Sequence, residues 1–189
     1  MNRGFQILLI ASTAGFSWLG MMAVHELGHV LHAWLSGGTV VEVLLHPAAF
    51  SRTDVLPNPH PQFVAWGGAV WGCLIPLALW LAVRLAARPH TYLAAFFAGF
   101  CLIANGFYLA VGALWPNGDD AGAILKHGGD PWQPIAFGIV AVVAGFCLWH
   151  GLGPNFGLGS TQGKVDRRAA VGMAVALVLL MLLELVLGG

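Results

Sequence analysis

Hydrophobic positions fall into five runs that approach or exceed the roughly 20 helical residues needed to cross the hydrocarbon core of a bilayer. They cover residues 5–35, 63–87, 92–115, 134–152 and 169–187. The first run is too long for a simple span at about 1.5 Å of rise per residue, so it must tilt, protrude or break near Gly15 or Gly20. Gly37-Gly38 follows it and supplies the glycine that commonly ends a helix. The run continues without a clear cleavage site past residue 23, which argues against a removable signal peptide.

Polar positions gather between the runs. Residues 39–46 are rich in Val and Leu and read as a short extended strand near the membrane surface, followed by a Pro- and Asn-bearing loop at 47–61. That strand is either a connector or an edge for an extended peptide. The connection at 116–133 carries Asp119, Asp120, Lys126, His127 and Asp130, with a short helix opening at the N-G-D-D-A-G run from Asn117 to Gly122. Residues 153–168 are Gly-rich and end in basic residues. The expected fold is therefore an all-α polytopic membrane protein with a short surface strand after its first helix. It forms a single domain over 1–189, with a core at 5–125 and additional helices at 134–187.

Composition agrees. The chain is 58% hydrophobic and 8% charged, where soluble domains average about 25% charged residues. Mean hydropathy is +0.79. An integral, multi-pass protein of the cell membrane is expected, with the lipid bilayer as its surroundings. A net charge of zero without a basic, aromatic-interleaved cluster excludes a nucleic-acid partner. Cys73, Cys101 and Cys147 sit apart within apolar runs and read as packed thiols. With the N-terminus inside, Arg3, Arg84, Arg88, Lys164, Arg167 and Arg168 lie at cytoplasmic ends, and Arg52 and Lys126 lie outside. In either orientation the late part of the first helix and the connection after the third share one side.

The chemistry concentrates at His25-Glu26-Leu27-Gly28-His29. Residues i and i+4 share a helix face, so both imidazoles can reach one metal ion with Glu26 beside them. Ionisable groups in an apolar span cost roughly 2.5–3.5 kcal/mol each, and a bound metal offsets that cost. Catalytic zinc has three protein ligands and an open position for water. His25 and His29 supply two, and Asp119 or Asp120 is the candidate third, although an aspartate there also suits a helix N-cap. Glu26 is expected to act as general base rather than ligand. His32 reads as a supporting or packing residue. His46, His60, His90, His127 and His150 read as isolated.

These residues resemble the site-2 protease family of intramembrane zinc metallopeptidases. The resemblance covers roughly 5–125 and rests on H-E-L-G-H in a first apolar helix, Gly37-Gly38 with a strand after it, Gly67-Gly68 opening the next span, and an Asp after the third. It implies the compact branch without a PDZ domain, Zn2+ as cofactor, His25 and His29 as ligands and Glu26 as the catalytic glutamate. The branch whose third motif reads S-D-A aligns with Asp120-Ala121, making Asp120 the third ligand. The family's commoner L-D-G is Gly118-Asp119-Asp120-Ala121 here. Its G-P-x-x-N is replaced by Gly68-Ala69-Val70-Trp71-Gly72, which leaves Asn105 and Asn117 as candidate oxyanion donors. The implied activity is hydrolysis of peptide bonds within or near transmembrane segments of membrane-protein or signal-peptide substrates. The alternatives are a non-catalytic metal-binding or scaffold protein of the same fold, and a haem-binding or transport bundle using the scattered histidines.

Overall fold

A computed structural model describes residues 3–86 and 89–187. Ala87, the expected end of the second span, and Arg88, counted in the charge bias, lie outside the described residues. The elements are α1 (Arg3–Leu35), β1 (Val40–Leu44), β2 (Arg52–Val55), α2 (Pro61–Leu85), α3 (Thr91–Leu114), α4 (Asp120–Lys126), α5 (Trp132–Trp149) and α6 (Arg167–Leu187). Short 3-10 turns at Gly153–Phe156 and Gly159–Thr161 connect α5 to α6. Among the described residues, five helices are long and apolar enough to cross a membrane: α1, α2, α3, α5 and α6. They are compatible with a multi-pass membrane protein.

Helix α1 is continuous through Gly15 and Gly20, so its 33 residues extend about 50 Å. It ends where the sequence indicates. Gly37 takes a left-handed φ of 75°, the Gly38 N–H donates to Ala33 O at 2.8 Å, and the Gly37 N–H donates to Trp34 O at 3.3 Å. These paired bonds form a Schellman stop that satisfies terminal carbonyls and turns the chain back on itself.

The segment after α1 differs from the expected single strand and loop. Strand β1 is shorter than 39–46, and the region expected to be loop contains β2, which pairs with it antiparallel. The resulting hairpin runs back along α1. Near its tip, Phe50 meets the Trp18 ring edge-on at 6.2 Å, two turns or about 12 Å before Glu26. The alternation Ser51-Arg52-Thr53-Asp54-Val55 drives this pairing: Thr53 and Val55 are half-buried while Arg52 and Asp54 point outward.

Small residues set how closely the helices approach. A Cβ on Gly28 would strike the carbonyl oxygen of Gly67, and one on Gly67 would strike that of Gly28, so α1 and α2 cross in direct backbone contact. On α3 and α5, Gly106 opposes Gly138 and Gly99 opposes Gly145, with two helical turns between the contacts. Apolar packing of Ala65, Ala69, Leu109, Ala113, Ala121 and Ile124 ties the short α4 to α2 and α3. Helix α6 lies along α1, where Leu9 packs with Ala169 and Ala170. Cys73 and Cys101 are buried free thiols, whereas Cys147 is exposed on α5 rather than packed.

Gly67→Ala should separate α1 from α2, because its methyl would meet backbone and the His32 ring rather than a side chain that can move. Overpacking costs about 1–3 kcal/mol, so a thermal melt should fall by about 2–12 °C. An unchanged melt would show that the helices can slide apart without loss.

Candidate metal centre

His25 and His29 lie one turn apart on α1, facing α2 and α3. The Asn105 Nδ2 amide donates to Cys101 O at 2.8 Å, which leaves Asn105 Oδ1 facing His25 Nδ1 at 2.6 Å. That oxygen can only accept, so the hydrogen of His25 resides on Nδ1. His29 Nδ1 likewise donates to Val64 O at 2.8 Å. Each ring therefore turns its Nε2 inward, with its orientation set by the partner behind it.

The inward atoms converge. The two Nε2 atoms are 3.1 Å apart, and Asp120 Oδ2 stands 2.9 Å from that of His25 and 3.3 Å from that of His29. Three electron-pair donors at such spacing require a proton or a cation between them. Ligand atoms about 2.0–2.1 Å from one tetrahedral ion stand about 3.3 Å from one another, close to the observed triangle. Among the described residues, this is the one group of three or more His, Cys, Asp or Glu side chains arranged to hold a metal ion. On the α2 side, Gly68 leaves the approach open, since a Cβ there would lie 2.5 Å from both Nε2 atoms.

The adjacent aspartates diverge as consecutive residues at a helix start must. Asp119 caps α4 by accepting the Gly122 N–H at 2.7 Å, while Asp120 turns to the imidazoles. Burial would raise the Asp120 carboxyl, but where a proton rather than a metal ion bridges the triangle, the hydrogen bonds from the Nε2 side of His25 and His29 outweigh burial and hold the group below the ordinary carboxylate range.

Glu26 is buried beside the triad, 3% exposed, and does not belong to the converging group. Its Oε1 accepts from Ser51 Oγ at 2.7 Å and its Oε2 from Thr53 Oγ1 at 2.6 Å. Neither hydroxyl emerged as a functional candidate from the sequence. The available signal was a polar pair two residues apart in a strand-like alternation, which puts both on one face. Tyr108 was missed as well. Its ring meets that of His25 edge-on at 5.7 Å, and its hydroxyl accepts from the Asp120 N–H at 3.4 Å.

The two candidate oxyanion donors differ in placement. Asn105 is committed to His25 and Cys101, and Asn117 is exposed in the loop before α4. His32 stacks on the Phe63 ring at 4.0 Å and donates from Nδ1 to Phe63 O at 2.6 Å, closing the α1–α2 contact. His46, His60, His90, His127 and His150 stay outside the group.

Asp120→Ala should reduce metal affinity by at least tenfold in a competition assay with a chelator. Asp119→Ala should instead cost about 0.5–2 kcal/mol of stability through loss of the cap. The reverse pattern would transfer the ligand role to Asp119. Gly68→Ala, which places a methyl against both Nε2 atoms, should also lose metal by tenfold or more; wild-type affinity would place the ion away from α2. No family model, curated protein or solved structure matches this chain.

Proposed function

We propose that this chain is an intramembrane zinc metallopeptidase that hydrolyses peptide bonds within or near apolar helices of membrane-bound substrates. The carrying observation is the convergence of His25 Nε2, His29 Nε2 and Asp120 Oδ2 beside a buried carboxylate, Glu26, among helices long and apolar enough for a bilayer. The donor set of two imidazoles and one carboxylate suits zinc, with a further coordination position free for chemistry. A bound zinc ion supplies Lewis acidity and lowers the pKa of a water molecule toward neutrality.

The protein's own groups account for the remaining steps. His25 and His29 would hold the ion through nitrogens whose orientation is set by Asn105 and the Val64 carbonyl. Glu26 takes a proton from the attacking water and returns it to the departing amide nitrogen as the peptide bond breaks. The absence of a ligand role for Glu26 matters to this assignment, because a purely structural metal site has no use for an acid between its histidines.

A helical substrate hides its carbonyls in its own hydrogen bonds and must unwind to be attacked. The two-stranded sheet leaves an unpaired edge on each strand, and such an edge can hold an extended segment by strand addition. Membrane-tethered regulators and signal-peptide remnants fit this requirement. The cell membrane is the proposed location.

Glu26→Gln retains the size of the side chain but cannot accept the proton. It should keep about one zinc per chain while hydrolysis of a panel of quenched fluorescent peptides, each bearing one apolar helix, falls at least 100-fold. Wild-type rates in this variant would remove Glu26 from the reaction.

A further inference from the structure

We infer that Ser51 and Thr53 are positioning residues for the Glu26 carboxylate, so that the β1–β2 hairpin forms part of the catalytic apparatus. The inference rests on the peptidase reading above. Each carboxylate oxygen receives one hydroxyl, at 2.7 Å from Ser51 and 2.6 Å from Thr53. Two donors on two oxygens fix both the location of the carboxylate and its rotation about the terminal bond. One donor alone would restrain one oxygen and leave the rotation freer. Each oxygen retains a lone pair, so the grip leaves capacity to accept a proton.

The donors are neutral although a cation lies between them in sequence. Strand alternation turns Arg52 outward, where it binds Glu42 at 2.8 Å and Asp54 at 3.2 Å. Glu26 thus meets hydroxyls instead of a guanidinium, which would compete with the proton for its lone pairs. A buried carboxylate without donors would carry a large desolvation cost, and two hydroxyl bonds reduce it without neutralising the charge.

The hairpin is itself held at both ends. At its base, the Schellman stop leads into Thr39, whose N–H donates to Pro57 O at 3.1 Å and whose carbonyl accepts from the Leu56 N–H at 2.8 Å. Near the tip, Phe50 rests edge-on against Trp18. Ser51 and Thr53 therefore approach Glu26 from a braced element. Reaction geometry is sensitive to such bracing, since a displacement of about 1 Å can cost about 100-fold in rate.

The test uses the full chain in detergent. Ser51→Ala/Thr53→Val should retain about one zinc per chain and KM within about threefold, while kcat for the same fluorescent peptides falls about 10- to 100-fold. The exchanged pair Ser51→Thr/Thr53→Ser, which restores both hydroxyls, should recover kcat to within about threefold. A merely structural role predicts reduced stability with unchanged kcat in the folded fraction, and that result overturns the inference. If the double variant does not fold, Thr53→Val alone serves the same comparison. Independently of activity, Glu26→Leu should speed amide hydrogen exchange at least tenfold over residues 40–55 while leaving α2 and α3 unchanged. Wild-type exchange across the hairpin overturns the inference whatever the kinetics. A wild-type protein that binds zinc yet cleaves no peptide in the panel would count against the peptidase reading, and the exchange measurement would then decide the link between Glu26 and the hairpin.

Discussion

Three electron-pair donors pointed at one another cannot rest together without a positive charge between them. His25 Nε2, His29 Nε2 and Asp120 Oδ2 are in that position, and the surrounding fold is organised to keep them there. Asn105 and the Val64 carbonyl fix the tautomers from behind, while the Asp119 cap sets the direction in which α4 presents Asp120. In an apolar bundle this repulsion is poorly screened, so a cation bound there would also be a structural bond between α1 and α4.

Close helix approach makes that arrangement possible. The mutual contact of Gly28 and Gly67 brings the α2 backbone near enough for Val64 and Phe63 to receive the imidazole hydrogens. Larger residues would hold the carbonyls out of reach and leave buried donors unpaired. Gly68 continues the same surface beside the Nε2 atoms, where a missing side chain becomes working space. The glycines of α3 and α5 play a related part farther away by seating α3, which carries Asn105 and Tyr108, against α5.

The peptidase assignment turns on Glu26. Glu26 follows the ligand candidate His25 directly in α1, and its carboxylate is gripped by a hairpin that ends near Trp18. A strand-forming element laid along an apolar helix is costly unless its backbone is paired, and β1 and β2 satisfy each other over part of their length. Their outer edges retain hydrogen-bonding capacity. In the proposed peptidase, an extended substrate segment and the Glu26 carboxylate would thus meet at the same small sheet.

Much of this architecture was legible in the sequence because its signals are local. Long apolar runs define helices by length, Gly37 can end α1 because it tolerates a left-handed conformation, and His25 and His29 share a face through helical periodicity alone. The residues that orient the site were not legible, since their roles depend on contacts between distant segments. Asn105 reaches His25 from α3, and Thr53 reaches Glu26 from a second strand, with Ser51 just before it, hidden in a region that reads as loop. The choice between Asp119 and Asp120 was likewise beyond spacing or composition: adjacent carboxylates are chemically equal until a helix start turns one toward its own backbone and the other toward two imidazoles. Sequence alone determined which segments are helical and that His25 and His29 share one helix face, because periodicity and chain-local sterics suffice for both. Only the tertiary structure decided which atoms face one another, because that depends on how closely separate helices can pack.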